Sequence, residues 1–575
     1  MKKITFINPL AHIKRVSNAI AIQLLKKSCE DNGIKTQFID LSNDFIRENI
    51  EYKQALSWLQ NKLQNIKYDI VCISCIMNAS FIWAIKIAEI IKFRNPDTKI
   101  IFRGPHVTAL QEMLFNKTAK LVDYLCIFEG ELTIVELVKY INKEISVLPI
   151  NVISCNKGII KYSKKLQMDI PFGIVKDISY ATFIDAPILD IEVGRGCPYR
   201  CYFCSSNVIS GKNVRYREPD DFLQEAQKIY ELTHKKTIIN FTHDNFFSIR
   251  KNFDIFVDKK IKNKLDFPYS CEGRVDAIDL QLIEKLYLTN CKSIFFGIET
   301  GSDRIQKISN KNIKIDKTIK EKVKLITDKG IQNQINFIVG FPEENLEDVL
   351  KTIELAGELS EINYNVFVSY SIMSPEPGSK IKELTKQEQY IILTENDYYK
   401  ELKEAGFKIQ ILDPIFFNHI YTIKNKNYDI IKLFIDRGYI TIEEDIGYVG
   451  DYTTFVTRTK IESRNDNNER VFDPFSLKYL LPLNFRLHLM ELAIDNNDVD
   501  MLMKIRAREI PRTHLISWGK ELRKFECIKK LANAKKETLE YFTDDFEANL
   551  RNGQHVEEFK PETIIFPYAS ELVDI

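Results

Sequence analysis

No stretch of this 575-residue sequence approaches the ~20 consecutive apolar residues of a membrane-spanning helix, so nothing in it predicts a membrane protein. An excess of charge of one sign is also missing. Lys and Arg total 81 against 80 Asp and Glu, a net charge of +1, which gives no whole-chain footprint for nucleic acid. There is no low-complexity tract. The 11 cysteines are too scattered in too long a chain for the disulfide framework of a small secreted domain. The opening Met1-Lys2-Lys3 has the basic start of a signal peptide, but the apolar stretch after it is too short and reads as a first β-strand. Reduced, dispersed cysteines and no targeting segment predict a cytoplasmic protein. A hydrophobic content of 45% with 28% charged residues suits a soluble globular chain, and the length suits about three domains.

What is present is concentrated in one run, Gly194-Arg195-Gly196-Cys197-Pro198-Tyr199-Arg200-Cys201-Tyr202-Phe203-Cys204. Thiolates spaced C-x3-C-x2-C can each hold one iron of a [4Fe–4S] cube, which normally takes four cysteines. One iron is then left open to bind a small molecule and pass it an electron. The competing readings are a zinc knuckle and a disulfide. Zinc wants a fourth Cys or His at short range, and the next candidates, His234, His243 and Cys271, form no C-x2-C pair. No second cysteine group follows and Cys527 stands alone, which argues against auxiliary clusters.

A βα rhythm runs through the first two thirds. Strands are predicted at Ile4–Ile7, Thr36–Ile39, Asp69–Ser74, Lys99–Phe102 and Tyr124–Phe128, with helices at Asn18–Asn32, Tyr52–Gln64, Phe81–Phe93 and Glu131–Lys143. Such alternation implies a parallel sheet covered on both faces, with ligands bound beyond the carboxyl ends of its strands. The turns there include Ser74 to Asn78, Arg103 to Thr108 and Phe128 to Glu131. Gly104 and Gly130 in them serve either close approach of a ligand or only a tight turn. After a linker near Asn156–Asp177, strands are predicted at Ile188–Val193, Thr237–Phe241, Pro268–Glu272, Ser293–Ile298, Gln334–Gly340 and Val366–Ser371. Six parallel strands make a partial or full barrel with chemistry at its carboxyl end, and the cysteine run follows the first of them directly.

Beyond about Ser379 the rhythm fades. Tyr390–Leu402, Tyr428–Tyr439, Leu483–Asn496 and Lys520–Tyr541 read as amphipathic helices. Their aromatics, among them Trp518, Phe525, Tyr541 and Phe542, suit a core better than a recognition surface. The expected organisation is α/β. Residues 1–155 form a flavodoxin-like sheet and 156–180 a linker, 181–385 form a partial (βα)6 barrel, and 386–575 a mostly helical domain that caps the barrel or binds substrate.

The cysteine run after the first strand of six βα units, with Phe203 just before the third Cys, resembles the radical S-adenosylmethionine (SAM) superfamily. Gly297-Ile298-Glu299-Thr300-Gly301-Ser302 resembles its fourth-strand segment. Asn336 to Glu343 resembles its G-x-I-x-G-x-x-E segment, and Pro375-Glu376-Pro377-Gly378-Ser379 its sixth-strand end. Asn336 replaces the first Gly of the second of these. The usual G-G-E is missing, and Thr242-His243-Asp244-Asn245-Phe246 stands in its place. The resemblance implies a SAM site that includes Phe203, Asp244, Arg274, Glu299 and Gly340. Asp244 would meet the methionyl amino group and Arg274 the SAM carboxylate. The other reading of Asp244, Arg274 and Glu299 is an ion-pair network at the strand ends, and His243 is either a substrate-side acid/base or a packed strand-end histidine.

The N-terminal sheet resembles the cobalamin-binding domain of the B12-type branch. Arg103-Gly104-Pro105-His106-Val107-Thr108 looks like its G-G-x-H-x-T turn, and Phe128-Glu129-Gly130-Glu131-Leu132-Thr133 like its G-E-G-E-x-T turn. Arg103 replaces a Gly, and there is no D-x-H-x-x-G to supply a histidine below cobalt, a ligand that branch commonly does without. Ser74, Gly104, His106 and Gly130 are the residues this likeness assigns to cobalamin. The resemblance covers about residues 1–380. It implies a [4Fe–4S] cluster, SAM, cobalamin and a reducing partner such as flavodoxin or ferredoxin. The activity implied is reductive cleavage of SAM to a 5′-deoxyadenosyl radical and C-methylation of a peptide or other natural-product precursor. The alternatives are an epimerase, oxidase, cyclase or rearrangement enzyme with an altered cobalamin domain, or a non-catalytic cobalamin or SAM sensor or scaffold. A tRNA methylthiotransferase is disfavoured by the near-zero charge and the missing extra cysteines.

Overall fold

A computed structural model describes residues 2–10, 16–64, 66–76, 78–156, 158–165, 178–184, 186, 188–360, 362, 366–384 and, further on, 390–392, 404–406, 421–423, 455–456, 462–464 and 470–472. The first sheet is built from β1 (Ile4–Asn8), β2 (Thr36–Asp40), β3 (Ile70–Ser74), β4 (Lys99–Arg103), β5 (Tyr124–Cys126), β6 (Val152–Asn156) and β7 (Ile159–Tyr162), in the order β2-β1-β3-β4-β5-β6-β7. β1 to β5 are parallel, as the βα rhythm requires. The last two strands form an antiparallel hairpin that the sequence reading had as the end of a domain and the start of a linker. The sheet therefore runs on to Tyr162. Its helices are α1 (Ile20–Asp31), α2 (Leu41–Arg47), α3 (Ala55–Leu63), α4 (Asn78–Arg94), α5 (Pro105–Leu110), α6 (Phe115–Thr118) and α7 (Glu131–Ile141).

Pairing of β1 with both β2 and β3 reverses the winding of the chain between β1 and β3, the crevice where such sheets bind ligands. β1, β3 and the middle of β4 are buried throughout, which is why they read as continuous apolar runs rather than alternating ones. One face packs under α1 and α7 around Phe6, Ile22, Leu25, Ile134 and Val138.

The second sheet contains β8 (Ile188–Glu192), β11 (Ile238–Thr242), β12 (Tyr269–Gly273), β13 (Cys291–Glu299), β14 (Gln332–Val339) and β15 (Val366–Ile372), six parallel strands in chain order. All six predicted strands are present. β9 (Gly194–Arg195) and β10 (Arg215–Tyr216) form a separate two-stranded hairpin after β8. α8 (Ser206–Ile209), α9 (Pro219–Leu232), α10 (Arg250–Lys262), α11 (Leu280–Leu288), α12 (Asp303–Ile308), α13 (Lys317–Asp328), α14 (Leu346–Ser360) and α15 (Lys380–Leu384) complete the unit. Helix starts follow local chemistry. Asp279 caps α11 by accepting from the Leu282 N–H at 2.8 Å, and Pro219 opens α9 ahead of Asp220 and Asp221. Among the described residues β8 and β15 do not pair, so the six strands make an open arc, a partial barrel.

Phe222, Phe241, Phe246, Phe253, Phe256 and Tyr269 form an edge-to-face and stacked cluster beneath β11 and β12. Each of these fully buried rings contributes roughly 1.5–3 kcal/mol of apolar burial. Together with the Phe246 N–H donated to the Glu272 carbonyl at 2.9 Å, they anchor the loop after β11 that carries His243 and Asp244.

Of the helices predicted beyond Ser379, the first begins instead as a strand, β16 (Tyr390–Ile392), paired antiparallel with β17 (Tyr421–Ile423). β18 (Phe455–Val456) adds to β15 at the edge of the second sheet, and β19 (Glu462–Arg464) pairs with β20 (Arg470–Phe472). Tyr428–Tyr439, Leu483–Asn496 and Lys520–Tyr541, with Trp518, Phe525, Tyr541 and Phe542, lie outside the described residues. Among the described residues no helix is long and apolar enough to cross a membrane.

Candidate active site: the three-cysteine loop

The loop between β9 and β10 leaves the carboxyl end of β8 and is tied at several points. Gly196 sits at φ +91°, where a side chain would press into the Asn213 carbonyl, so glycine is required there. The Cys197 N–H donates to the Gly211 carbonyl at 3.1 Å, and the Tyr202 N–H to that of Ser309 at 2.9 Å. The Asn207 side chain bonds the Tyr199 carbonyl at 2.6 Å, and Asn310 that of Arg200 at 2.7 Å. At the far end of the arc, the Ile381 N–H donates to the Tyr202 carbonyl at 2.9 Å, and the Lys380 ammonium lies 3.9 Å from the centre of the Tyr202 ring.

Cys197, Cys201 and Cys204 are the partly exposed cysteines among the described residues, and the other described ones are buried. No group of three His, Cys, Asp or Glu among the described residues converges to hold one metal ion. A single zinc would need that convergence. A cube does not, because its ligands meet separate corners. Burial raises the pKa of all three thiols, and nearby cations and hydrogen-bond donors oppose that rise. Burial raises the Cys201 thiol, and the Lys311 and Arg274 charges work against that rise. Burial pushes Cys197 up to about 11, with the Tyr199 N–H opposing. The Ser206 N–H lies 3.4 Å from the Cys204 sulfur and its hydroxyl 3.2 Å. The three cysteines thus fit a cluster that leaves one iron without a cysteine.

Around this loop stand the residues assigned to SAM. Asp244 faces the open mouth, where its carboxylate accepts the Gly196 N–H at 3.2 Å. Although solvent reaches it, enclosing protein raises its pKa, against hydrogen bonds from Ser206 and Gly196. Glu299 ends β13 at φ +73°, and its side chain folds back over Gly297, where any Cβ would overlap the carboxylate. Its partner is Lys311, 2.8 Å away and equally buried. Phe203 packs edge-on to Phe341 at 5.7 Å. Gly340 sits at φ +92°, and its N–H is bonded to the buried Glu344 carboxyl, which burial pushes up to about 8.

Arg274, the residue expected to meet the SAM carboxylate, is held by protein partners. Its guanidinium donates to both Asp276 oxygens at 3.0 and 2.8 Å and to the Lys311 carbonyl at 2.8 Å, and it stacks on Tyr199 at 3.9 Å. Only Nη1 points toward the loop, 4.0 Å from the Cys201 sulfur. Arg274 therefore braces the cysteine loop. His243 is buried, stacked on Tyr216 at 4.7 Å and packed over Gly194, with Nδ1 accepting the Asn245 N–H at 2.8 Å. Burial lowers its pKa to about 3, so the ring stays neutral at physiological pH. Lys311 and Glu344 are the site residues that sequence reasoning missed. Lys311 sits among Asn and Lys residues that read as surface, and Glu344 follows the Glu343 that completes the motif spacing.

In the first domain, Ser74 ends β3 and is buried. Gly104 has φ +117°, and a side chain there would run into the Cys75 backbone. The His106 N–H donates to the Cys75 carbonyl at 3.2 Å, and its ring lies 4.8 Å from Phe81. A Cβ on Gly130 would come within 3.0 Å of Leu25. Gly104 is thus required by its own turn, whatever else it serves. The winding reverses at the ends of β1 and β3, where sheets of this kind bind ligands, and Ile76 is exposed there.

Comparison with known proteins agrees with this geometry. Residues 191–356 match the model of the radical SAM superfamily, and residues 9–138 that of the B12 binding domain. The two domains define a radical SAM enzyme that carries a cobalamin-binding domain, with a [4Fe–4S] cluster, SAM and cobalamin as its cofactors. An uncharacterised methyltransferase of Pyrococcus horikoshii is 28% identical over 334 residues, 55% of this chain and 69% of that one. A putative methylthiotransferase of Methanocaldococcus jannaschii is 27% identical over 326 residues, 54% of this chain and 69% of that one. Among solved structures, the radical SAM methyltransferase TsrM of Kitasatospora setae, with cobalamin and a [4Fe–4S] cluster bound, aligns at TM-score 0.57 and 13% identity over 88% of this chain and 100% of that one. The cobalamin-dependent radical SAM enzyme OxsB aligns at 0.54 and 15% identity over 96% of this chain and 79% of that one. At those identities the likeness is one of fold.

Proposed function

We propose that this enzyme is a cobalamin-dependent C-methyltransferase acting on a peptide or other natural-product precursor in the cytoplasm, with electrons from a flavodoxin or ferredoxin. The observation that carries the reading is the junction of the two cofactor domains. The neck of the cysteine loop is bonded to the first domain's β5–α7 turn, with Arg195 Nη2 and Glu131 2.5 Å apart. When bound, the cluster with SAM supplies reductive one-electron cleavage chemistry and cobalamin supplies methyl transfer.

This chain's own residues hold and orient. The three cysteines present sulfur at the mouth, with Lys311 and Arg274 offsetting negative charge beside Cys201. Asp244 offers a carboxylate to an ammonium group, and the Gly196 N–H fixes its direction. Glu299, held by Lys311, offers its remaining oxygen to hydroxyl donors. Phe203, Phe341, Ile305 and Met373 wall one side with apolar surface and exclude water from it. His243, neutral and enclosed, supports the Asp244 loop.

The test is metal analysis and absorption spectroscopy of full-length protein purified without oxygen from cells supplied with cobalamin, followed by product analysis with SAM and reductant. About one cobalt and roughly four irons per chain, with S-adenosylhomocysteine formed beside 5′-deoxyadenosine, is the expected result. Iron without cobalt, and 5′-deoxyadenosine alone, would replace methyl transfer by epimerisation, oxidation, cyclisation or rearrangement. No reductive cleavage of SAM would leave a sensor or scaffold.

A further inference from the structure

The neck of the cysteine loop contains an electrostatic problem that it cannot solve alone. In the β9–β10 pairing Arg195 lies directly opposite Arg215, and like charges facing each other across a strand pair destabilise it. Both side chains are largely buried, at 14% and 18% exposure. The second sheet supplies one carboxylate, Glu192, which takes the Arg195 Nε and Nη2 donors at 2.6 and 2.7 Å.

The other two carboxylates come from the first domain. Glu131 accepts from Arg195 Nη2 at 2.5 Å and Nη1 at 3.4 Å. Glu129 lies 3.3 Å from Arg195 and accepts from Arg215 through both of its oxygens, at 2.9 Å from Nη1 and also from Nη2. Such two-pronged arginine–carboxylate bonding fixes orientation as well as charge. Arg195 is two residues from Cys197, and the intervening Gly196 is the residue whose N–H holds Asp244.

We propose that Glu129 and Glu131 are positioning residues for the cysteine loop, setting through Arg195 and Arg215 where Cys197 stands relative to the first domain. This rests on the reading that the loop holds the cluster. The cobalamin-binding-type turn Phe128 to Thr133 thereby uses its two carboxylates on the neighbouring domain's loop, and the integrity of the cysteine site depends on the first domain being docked.

The test compares full-length wild type with Glu129→Gln/Glu131→Gln and with the conservative Glu131→Asp. Hydrogen exchange of peptides spanning 194–216 in the iron-free chain is expected to rise about tenfold or more in the double variant, while peptides from β1 and β3 stay within twofold. In reconstituted protein, the resonance signature of the reduced cluster on adding SAM is expected to shift, with free cobalamin binding as tightly as before. Glu131→Asp is expected to restore most of the wild-type behaviour. Loop exchange and cluster signature both unchanged would overturn the proposal, as would weakened cobalamin binding with an unchanged loop, which would assign these carboxylates to the corrin side. A wild-type chain that takes up no iron would instead count against the cluster reading, while the exchange comparison in iron-free protein would still decide this one.

Discussion

Replacing Lys311 by Met removes the cation that faces Glu299 at 2.8 Å, with side-chain exposures of 10% and 7% for the pair. Breaking a buried pair from one side costs roughly 3–5 kcal/mol, because the partner charge is left uncompensated. Adding Glu299→Gln removes the stranded charge and is expected to return most of the loss at pH 7. The assay is urea unfolding of the iron-free chain, with hydrogen exchange of peptides from β13 and β14 reporting the second sheet. A Lys311→Met loss under ~1 kcal/mol at pH 7, or failure of Glu299→Gln to rescue, would each refute the reasoning. In loaded protein the same substitution removes one of two cations beside Cys201, so lower iron retention is expected as well.

Changing Cys197, Cys201 and Cys204 together to Ala is expected to abolish iron incorporation. Cys271→Ala, at a buried position, should leave iron per chain unchanged, by metal analysis of anaerobically reconstituted protein. Glu344 has a folded-state pKa raised to about 8, so its contribution is fully present below the ordinary carboxylate value and is lost as pH rises through about 8. Glu344→Gln keeps an acceptor for the Gly340 N–H and does not ionise, so it should be close to neutral at about pH 4 and stabilising by roughly 3–5 kcal/mol at about pH 7 and above. An equal effect at both pH values would contradict the raised pKa. Gly104→Ala places a side chain at φ +117° against the Cys75 backbone and should cost about 1–3 kcal/mol of first-domain stability with weakened cobalamin binding, read by thermal unfolding and spectroscopic titration.

The strands were legible because each is a short apolar run bounded by turn residues, and the three-cysteine motif because cysteines at fixed spacing on one loop need no partner from elsewhere in the chain. The β6–β7 hairpin was not, since Ile159, Lys161 and Tyr162 on an exposed edge strand carry no buried-strand signature. Arg274 illustrates the limit within the site. Its place at the end of β12 could be read from sequence. That Asp276, Lys311 and Tyr199 occupy its guanidinium could not, because two of those three partners come from distant segments.

By itself the sequence determined the chemistry this enzyme can carry, since sulfur donors, glycine turns and the βα period are local properties that survive without knowledge of neighbours. Tertiary structure alone decided which charges meet. Lys311 reaches Glu299 across 12 residues, and Glu131 reaches Arg195 across 64 residues from another domain. Ionic partners are chosen by burial and by the geometry of strand ends, and neither is written in the spacing of the residues along the chain.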